Sequence, residues 1–143
     1  MPDIVVDSSV MAKWVLPEAD SPQAQAIIAE AARTGNRLIV LDLVYPEVTN
    51  AIWKRHYRGL ISLDEARLLL DKLLACPVHV EPAYRLLRPG LEIAAKYRRA
   101  AYDALFVALA QDLGLGGVTA DEPLHNAVHG DFPSIVLLRD WKP

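Results

Sequence analysis

The sequence predicts an α/β fold in which helices cover both faces of a mostly parallel β-sheet. Short runs of Val, Ile and Leu alternate along the chain with segments of helical periodicity, which is typical of parallel sheets. The runs are almost continuously apolar, as expected for strands buried on both faces. The length of 143 residues, 52% of them hydrophobic, is that of one domain with a substantial core. Because no repeat or linker interrupts the pattern, we expect residues 1–143 to form a single domain.

Five apolar runs are predicted strands. Each is short and contains Val or Ile, which favour extended structure. In chain order they are Ile4–Val6, Leu38–Leu41, Val78–Val80, Val118–Thr119 and Ile135–Leu138.

Helices are predicted between these strands from capping residues, prolines and glycines. Ser62 and Glu65 have the spacing of a capping box, so a helix to Ala75 is expected there. The other predicted helix starts are Ser8-Ser9, Ser21-Pro22, Pro46 and Tyr102, and the predicted breakers are Pro17, Gly35-Asn36, Cys76-Pro77 and the glycines 114, 116 and 117. Between Pro82 and Tyr102 we expect helical segments that Pro89-Gly90 interrupts.

Composition excludes several kinds of site. The single cysteine, Cys76, excludes an intramolecular disulfide and zinc sites built from several cysteines. His125 and His129 are four residues apart but lack the glutamate of zinc proteases, so a zinc role is not favoured. The sequence has no basic and apolar leader and no apolar run of about 20 residues, so we expect a cytoplasmic protein without a membrane segment.

Four acidic residues are expected to meet at one edge of the sheet. Asp7 and Asp121 follow predicted strands, and Glu47 lies in the first turn of the helix after the second strand. Asp103 begins the strongly apolar helix 102–113, where a carboxylate needs a partner or a cleft. Each acid alone could be an ordinary cap or first-turn residue. Their joint placement at the carboxyl ends of parallel strands, where such sheets carry their functional crevice, favours a common site.

Carboxylates gathered in one cleft repel each other, and a hard divalent cation such as Mg2+ or Mn2+ relieves that repulsion. An ion of this kind can orient a phosphodiester and activate a water molecule for attack. The hydroxyls of Ser8, Ser9 and Thr119 stand beside the acids and can orient the carboxylates. The formal net charge is -3, of which these four acids contribute -4, so the rest of the chain carries +1 and does not repel RNA.

Four segments in this order carry a resemblance to a known family. They are Ile4–Val10 (IVVDSSV), Tyr45–Ala51 (YPEVTNA), Tyr102–Ala110 (YDALFVALA) and Val118–Leu124 (VTADEPL). Over essentially its whole length the chain resembles the PIN-domain ribonucleases, and in particular the VapC-type toxins of bacterial and archaeal type II toxin–antitoxin systems. The resemblance implies a three-layer α/β/α sandwich with a mostly parallel central sheet. Pro89-Gly90 departs from the family, in which that stretch commonly runs as helix.

The resemblance also implies the roles of individual residues. Catalytic ligands of Mg2+, or of Mn2+ in its place, would be Asp7, Glu47, Asp103 and Asp121. Ser9, Thr119 and Asn50, which lies one helical turn after Glu47, would orient this shell.

The implied activity is endoribonuclease cleavage of RNA, often transfer or ribosomal RNA, by metal-activated water, with growth arrest as its result. The implied partners are a cognate VapB-type antitoxin and a second copy of the chain in a homodimer. Candidate RNA contacts are the basic residues Lys54, Arg55, Arg58, Lys96, Arg98 and Arg99, with Trp53, Tyr57 and Tyr97 interleaved as stacking surfaces. Such basic clusters are also common on solvated helix faces.

Three alternatives remain from the sequence. The fold could serve as a catalytically inactive binding module whose acidic edge holds a basic peptide, or as a housekeeping PIN nuclease that is not a toxin. A response-regulator-like receiver would also cluster acids on a parallel sheet, but it needs a lysine after a late strand. Here the last strand is followed directly by residues 139–143, RDWKP, so this alternative is the least favoured.

Overall fold

The computed structural model describes residues 1–18 and 21–143. The strands are β1 (Ile4–Val6), β2 (Leu38–Leu41), β3 (His79–Glu81), β4 (Gly116–Thr119) and β5 (Ile135–Leu137). The helices are α1 (Ser8–Val15), α2 (Ser21–Thr34), α3 (Val44–Tyr57), α4 (Leu63–Leu74), α5 (Leu87–Tyr97), α6 (Ala101–Leu113) and α7 (Glu122–Val128). Short 3-10 helices span Tyr84–Leu86 and Leu138–Asp140.

The five strands form one parallel sheet in the order β3-β2-β1-β4-β5. At its centre, Val5 of β1 pairs with Ile39 of β2 on one side and with Gly117 of β4 on the other. From β1 the chain adds strands outward to β3, then crosses back to add β4 and β5 on the opposite side. The strand order therefore reverses between β1 and β4, which is where sheets of this kind open a crevice at their carboxyl edge.

The core lies in two layers, one on each face of the sheet. Val6 and Val40 pack with α1 to α4 on one face. Val5 and Ile39 pack with α5, α6 and α7 on the other. Because successive strand residues point to opposite faces, the continuous apolar runs supply both layers. The predicted α/β fold, a three-layer α/β/α sandwich, is confirmed.

The interruption predicted at Pro89-Gly90 is wrong, because α5 runs through both residues. Pro89 is the third residue of α5, within the first turn, where a backbone amide has no partner inside the helix and proline removes no bond. Gly90 lies where α5 meets α6, since a Cβ atom built on it would come 2.7 Å from Leu105 Cδ2.

Two of the glycines predicted to end the sixth helix belong to a strand instead. Gly114 ends α6 in the left-handed conformation, with φ of 65°, as glycine commonly does. Gly116 and Gly117 are in β4. A Cβ atom on Gly117 would come 2.8 Å from Phe106 Cζ, so the missing side chain lets α6 lie close to the sheet.

None of the helices in the described part of the chain has the length and apolarity needed to cross a membrane.

Candidate active site

The four predicted acids line one cavity of about 270 Å³ at the carboxyl edge of the sheet. They reach it from four elements: the end of β1, the first turn of α3, the first turn of α6 and the turn between β4 and α7. The complete lining is Asp7, Ser8, Ser9, Ala12, Glu47, Val48, Ala51, Asp103 and Asp121. The structure thus brings together all four carboxylates that the sequence singled out.

Asp7 lies deepest, at the point where the strand order reverses. It follows β1 and caps α1, with its Oδ1 accepting a 2.9 Å hydrogen bond from the amide of Ser8. Its Oδ2 accepts a 3.0 Å bond from Ser9 Oγ and a 2.7 Å bond from Thr119 Oγ1. Asp7 and Thr119 are both buried. A buried carboxylate with three donors is held in one orientation.

Burial raises the pKa of the Asp7 carboxyl from 3.8 to about 6. Hydrogen bonds from Thr119 and Ser9 lower this pKa, and the nearby carboxylates of Asp103 and Glu47 raise it. The burial effect is the largest, so ionising Asp7 costs free energy that a nearby cation would offset.

The two hydroxyls also tie Asp7 to the chain segment that carries Asp121. Ser9 Oγ accepts a 2.9 Å bond from the amide of Ala120, and Thr119 Oγ1 accepts a 3.0 Å bond from the amide of Asp121. These hydrogen bonds hold the segment that follows β1 against the segment that follows β4. Ser9 and Thr119 both donate to Asp7, and their role in orienting a metal-binding shell stays a prediction.

Glu47 is half-buried in the first turn of α3, and Ser8 Oγ donates a 3.0 Å hydrogen bond to its Oε2. Burial raises the pKa of Glu47, Ser8 lowers it and the charge of Asp103 raises it. The sequence places Ser8 beside the acids but does not assign it to Glu47. Only the packing of α1 against α3 reveals that pairing.

Asp103 and Asp121 each have a local partner. Burial and the charge of Asp121 raise the pKa of Asp103, whereas Arg99 lowers it from an ion-pair distance of 3.7 Å between Nη2 and Oδ2. Asp121 caps α7, and its Oδ1 accepts a 3.0 Å bond from the amide of Leu124. Both the first-turn reading of Asp103 and the cap reading of Asp121 are therefore correct, and both residues still line the cavity.

The remaining predicted residues lie away from the cavity lining. Asn50 is exposed and is not among the lining residues, so its orienting role stays a prediction. Arg55 pairs with Glu18 at 3.6 Å and Lys96 with Asp131 at 3.6 Å. Arg99 differs, because its ion pair is with one of the four acids.

Lys54, Arg58 and Arg98 are exposed. Trp53 and Tyr57 stack with ring centroids 5.1 Å apart, and both remain largely exposed. RNA contact by these residues and by Tyr97 stays a prediction.

The donor set suits a hard divalent cation, because all four side chains offer carboxylate oxygens. Among residues 1–18 and 21–143, however, there is no group of three His, Cys, Asp or Glu side chains close enough together to coordinate one ion directly. Each carboxylate is turned toward its own donor: Asp7 toward Thr119 and Glu47 toward Ser8. Mg2+ usually takes one or two carboxylates and keeps several waters, so acids spread around one cavity fit a hydrated ion.

Comparison with known proteins agrees with this geometry. Residues 4–129 match the PIN domain family. The ribonuclease VapC3 of Pyrobaculum aerophilum is 34% identical over 135 residues, which are 93% of this chain and 97% of the relative.

Two solved structures are similar in fold. PAE2754 from Pyrobaculum aerophilum has a TM-score of 0.69 and 23% sequence identity, covering 96% of this chain and 85% of its own. A toxin–antitoxin complex from Klebsiella pneumoniae has a TM-score of 0.61 and 14% identity, covering 95% of this chain and 98% of its own. At these identities the likeness concerns the fold.

Proposed function

This chain belongs to the PIN domain family, and from that premise we propose that it is a Mg2+-dependent endoribonuclease acting as the toxin of a type II toxin–antitoxin pair. The observation that carries the proposal is the convergence of Asp7, Glu47, Asp103 and Asp121 on one cavity at the reversal of strand order. The similarity to a relative named as a VapC ribonuclease supports RNA as the substrate.

The four carboxylates are proposed to hold Mg2+, one or two of them directly and the others through water molecules bound to the ion, with Mn2+ able to replace it. When bound, such an ion polarises a phosphodiester and lowers the pKa of a coordinated water. Asp7 is the fixed member of the set, because three donors hold its two oxygens. Ser8 holds Glu47, and the β4–α7 turn holds Asp121 through its bond to Leu124.

The protein environment prepares these residues for a cation. Burial raises the pKa of Asp7, Glu47 and Asp103, and the acids raise one another further. In the bare cavity this mutual repulsion is unfavourable, so a divalent ion binds with the additional gain of relieving it. The hydroxyls of Ser9 and Thr119 keep Asp7 oriented without adding charge.

The proposed partners are an RNA substrate, of the transfer or ribosomal class, and a VapB-type antitoxin that blocks the cavity. The fold shared with a chain of a toxin–antitoxin complex supports the second partner. The chain is also proposed to form a homodimer.

Co-expression with the product of the adjacent reading frame should yield a complex that does not cut RNA. Size-exclusion chromatography with light scattering measures the number of chains in the assembly.

Incubation of the purified chain with total RNA tests the proposed activity. We expect cleavage with Mg2+, none after chelation, and recovery when Mn2+ is added. Expression of the wild-type chain should arrest growth, and Asp7→Asn should not. Metal binding without cleavage would favour an inactive binding module, whereas cleavage without growth arrest would favour a housekeeping nuclease.

A further inference from the structure

Arg99 is a basic side chain that lies beside the acidic cavity. It lies between α5 and α6, four residues before Asp103, and its side chain is 28% exposed. Its Nη2 atom is 3.7 Å from Asp103 Oδ2, which is an ion-pair distance longer than a hydrogen bond.

Part of the hydrogen-bonding capacity of this guanidinium is unused. Among the described residues, the buried Nε atom of Arg99 has no hydrogen-bond partner. Arg33 shows the usual arrangement in the same chain: its Nε and Nη2 atoms donate to the two oxygens of Glu30 at 2.9 and 2.6 Å. Because a buried donor without a partner costs free energy, the Arg99 guanidinium is better suited to an additional oxyanion than to Asp103 alone.

We propose that Arg99 binds a phosphate group of the RNA substrate at the rim of the cavity, and that its pairing with Asp103 is the resting arrangement that precedes binding. This inference rests on the proposed ribonuclease function. A guanidinium matches two phosphate oxygens at once and is only weakly hydrated, so it suits this role better than a lysine. Its place next to Asp103 puts the bound phosphate beside the proposed metal ligands.

Removing Arg99 should change the affinities for metal and for RNA in opposite directions. Without its positive charge the carboxylates attract a divalent ion more strongly, so Mn2+ should bind roughly two- to tenfold more tightly. RNA should bind about tenfold more weakly, because one charged contact to a phosphate is lost. A residue that only supported the fold would weaken both affinities.

The experiment compares Arg99→Ala and Arg99→Lys with Arg33→Ala as the matched control. Arg33 carries the same charge but pairs with Glu30 at the end of α2, near the amino edge of the sheet. Mn2+ affinity is measured by calorimetry without RNA. Binding of mixed transfer RNA is measured over a series of salt concentrations. EDTA is present in these measurements, because chelation of the metal prevents cleavage.

For Arg99→Ala we expect the opposite changes described above and a salt-dependence slope that is smaller by about 0.7 to 0.9. Arg99→Lys should keep the wild-type Mn2+ affinity but bind RNA severalfold more weakly, and Arg33→Ala should match the wild type. Equal RNA affinities and slopes for Arg99→Ala and Arg33→Ala would overturn this inference alone. If Arg99→Ala does not fold, unchanged RNA affinity of Arg99→Lys would overturn it. A wild-type chain that binds neither Mn2+ nor RNA would overturn the proposed function as well.

Discussion

Thr119 Oγ1 donates a 2.7 Å hydrogen bond to Asp7 Oδ2, joining side chains that are 112 residues apart in sequence. Thr119 ends β4 and Asp7 directly follows the neighbouring strand β1, on the two sides of the reversal of strand order. Both are buried, so no solvent competes for the bond. The contact holds the most deeply placed carboxylate of the cavity and lowers its pKa.

Replacing Thr119 with Val, which keeps the shape and removes the hydroxyl, should raise the pKa of Asp7 above about 6. It also leaves the amide of Asp121 without its present partner. We expect the free energy of unfolding to fall by about 1–2 kcal/mol. Carboxyl NMR titration and denaturant unfolding measure the two effects. Thr119→Ser keeps the hydroxyl and serves as the control, and equal behaviour of the two variants would rule out a role for this hydrogen bond.

The pH dependence of stability should reveal the cost of charging Asp7. Its pKa is about 6 in the folded chain against 3.8 as the ordinary value, so the folded state binds this proton more tightly. The contribution of Asp7 to the stability of the wild type therefore falls as the pH rises from about 4 to about 6, by up to about 3 kcal/mol. Asn cannot ionise, so Asp7→Asn should be more stable than the wild type at pH 7 and nearly equal to it at pH 4.

The comparison is made by denaturant unfolding in the presence of a chelator. The difference between the two proteins isolates Asp7 from carboxyls elsewhere whose pKa is lowered, such as Asp3 and Glu30. Added Mg2+ should stabilise the wild type and leave Asp7→Asn almost unchanged. A difference that stays constant between pH 4 and pH 7 would contradict the raised pKa.

Much of the site could be predicted because a parallel sheet places residues after strands at a common edge. Asp7 is placed at this edge because it directly follows a strand. Glu47 and Asp103 are placed there because they lie in the first turns of helices that begin at that edge. The rule alone does not separate Asp7 from Asp42, which also follows a strand. Asp42 instead accepts a hydrogen bond from the amide of Ala83 at 3.1 Å and does not line the cavity.

Contacts between distant segments could not be predicted in the same way. The hydrogen bond from Ser8 to Glu47 depends on how α1 packs against α3. The sequence pattern predicts each helix but not how the two helices pack. The error at Pro89 arose because its position within the helix decides its effect, and helix starts are uncertain by one or two residues. Arg99 lies before the start of α6, so the helical i, i+4 rule did not indicate its ion pair with Asp103.

Ser8→Ala should weaken function without unfolding the chain. The variant removes the hydroxyl that holds Glu47 Oε2 at 3.0 Å, so the pKa of Glu47 should rise and its orientation should loosen. We expect RNA cleavage to slow by roughly tenfold, the kinetic equivalent of one lost hydrogen bond. The Mg2+ concentration needed for half-maximal rate should also increase. Ser8→Thr retains the hydroxyl, and equal rates for both variants would show that the bond does not position Glu47.

Gly117→Ala should destabilise the fold at the centre of the sheet. Its Cβ would come 2.8 Å from Phe106 Cζ and 2.9 Å from Ile135 Cδ1, on tightly packed side chains. We expect a loss of about 1–3 kcal/mol in the free energy of unfolding. Gly130 has no atom within 4 Å of the corresponding position, so Gly130→Ala is the control and should change stability little. Equal midpoints of denaturant unfolding would mean that α6 is less closely packed on β4.

The rate of RNA cleavage by Asp103→Asn at saturating Mg2+ tests the carboxylate cavity as a nuclease centre most directly. Asp112→Asn is the matched control, because Asp112 lies on the same helix but pairs with Arg85 outside the cavity. We expect Asp103→Asn to lose more than about 100-fold in rate, beyond the loss typical of residues that only orient a metal ligand. Asp112→Asn should cleave as fast as the wild type. Undiminished cleavage by folded Asp103→Asn would contradict the proposed site.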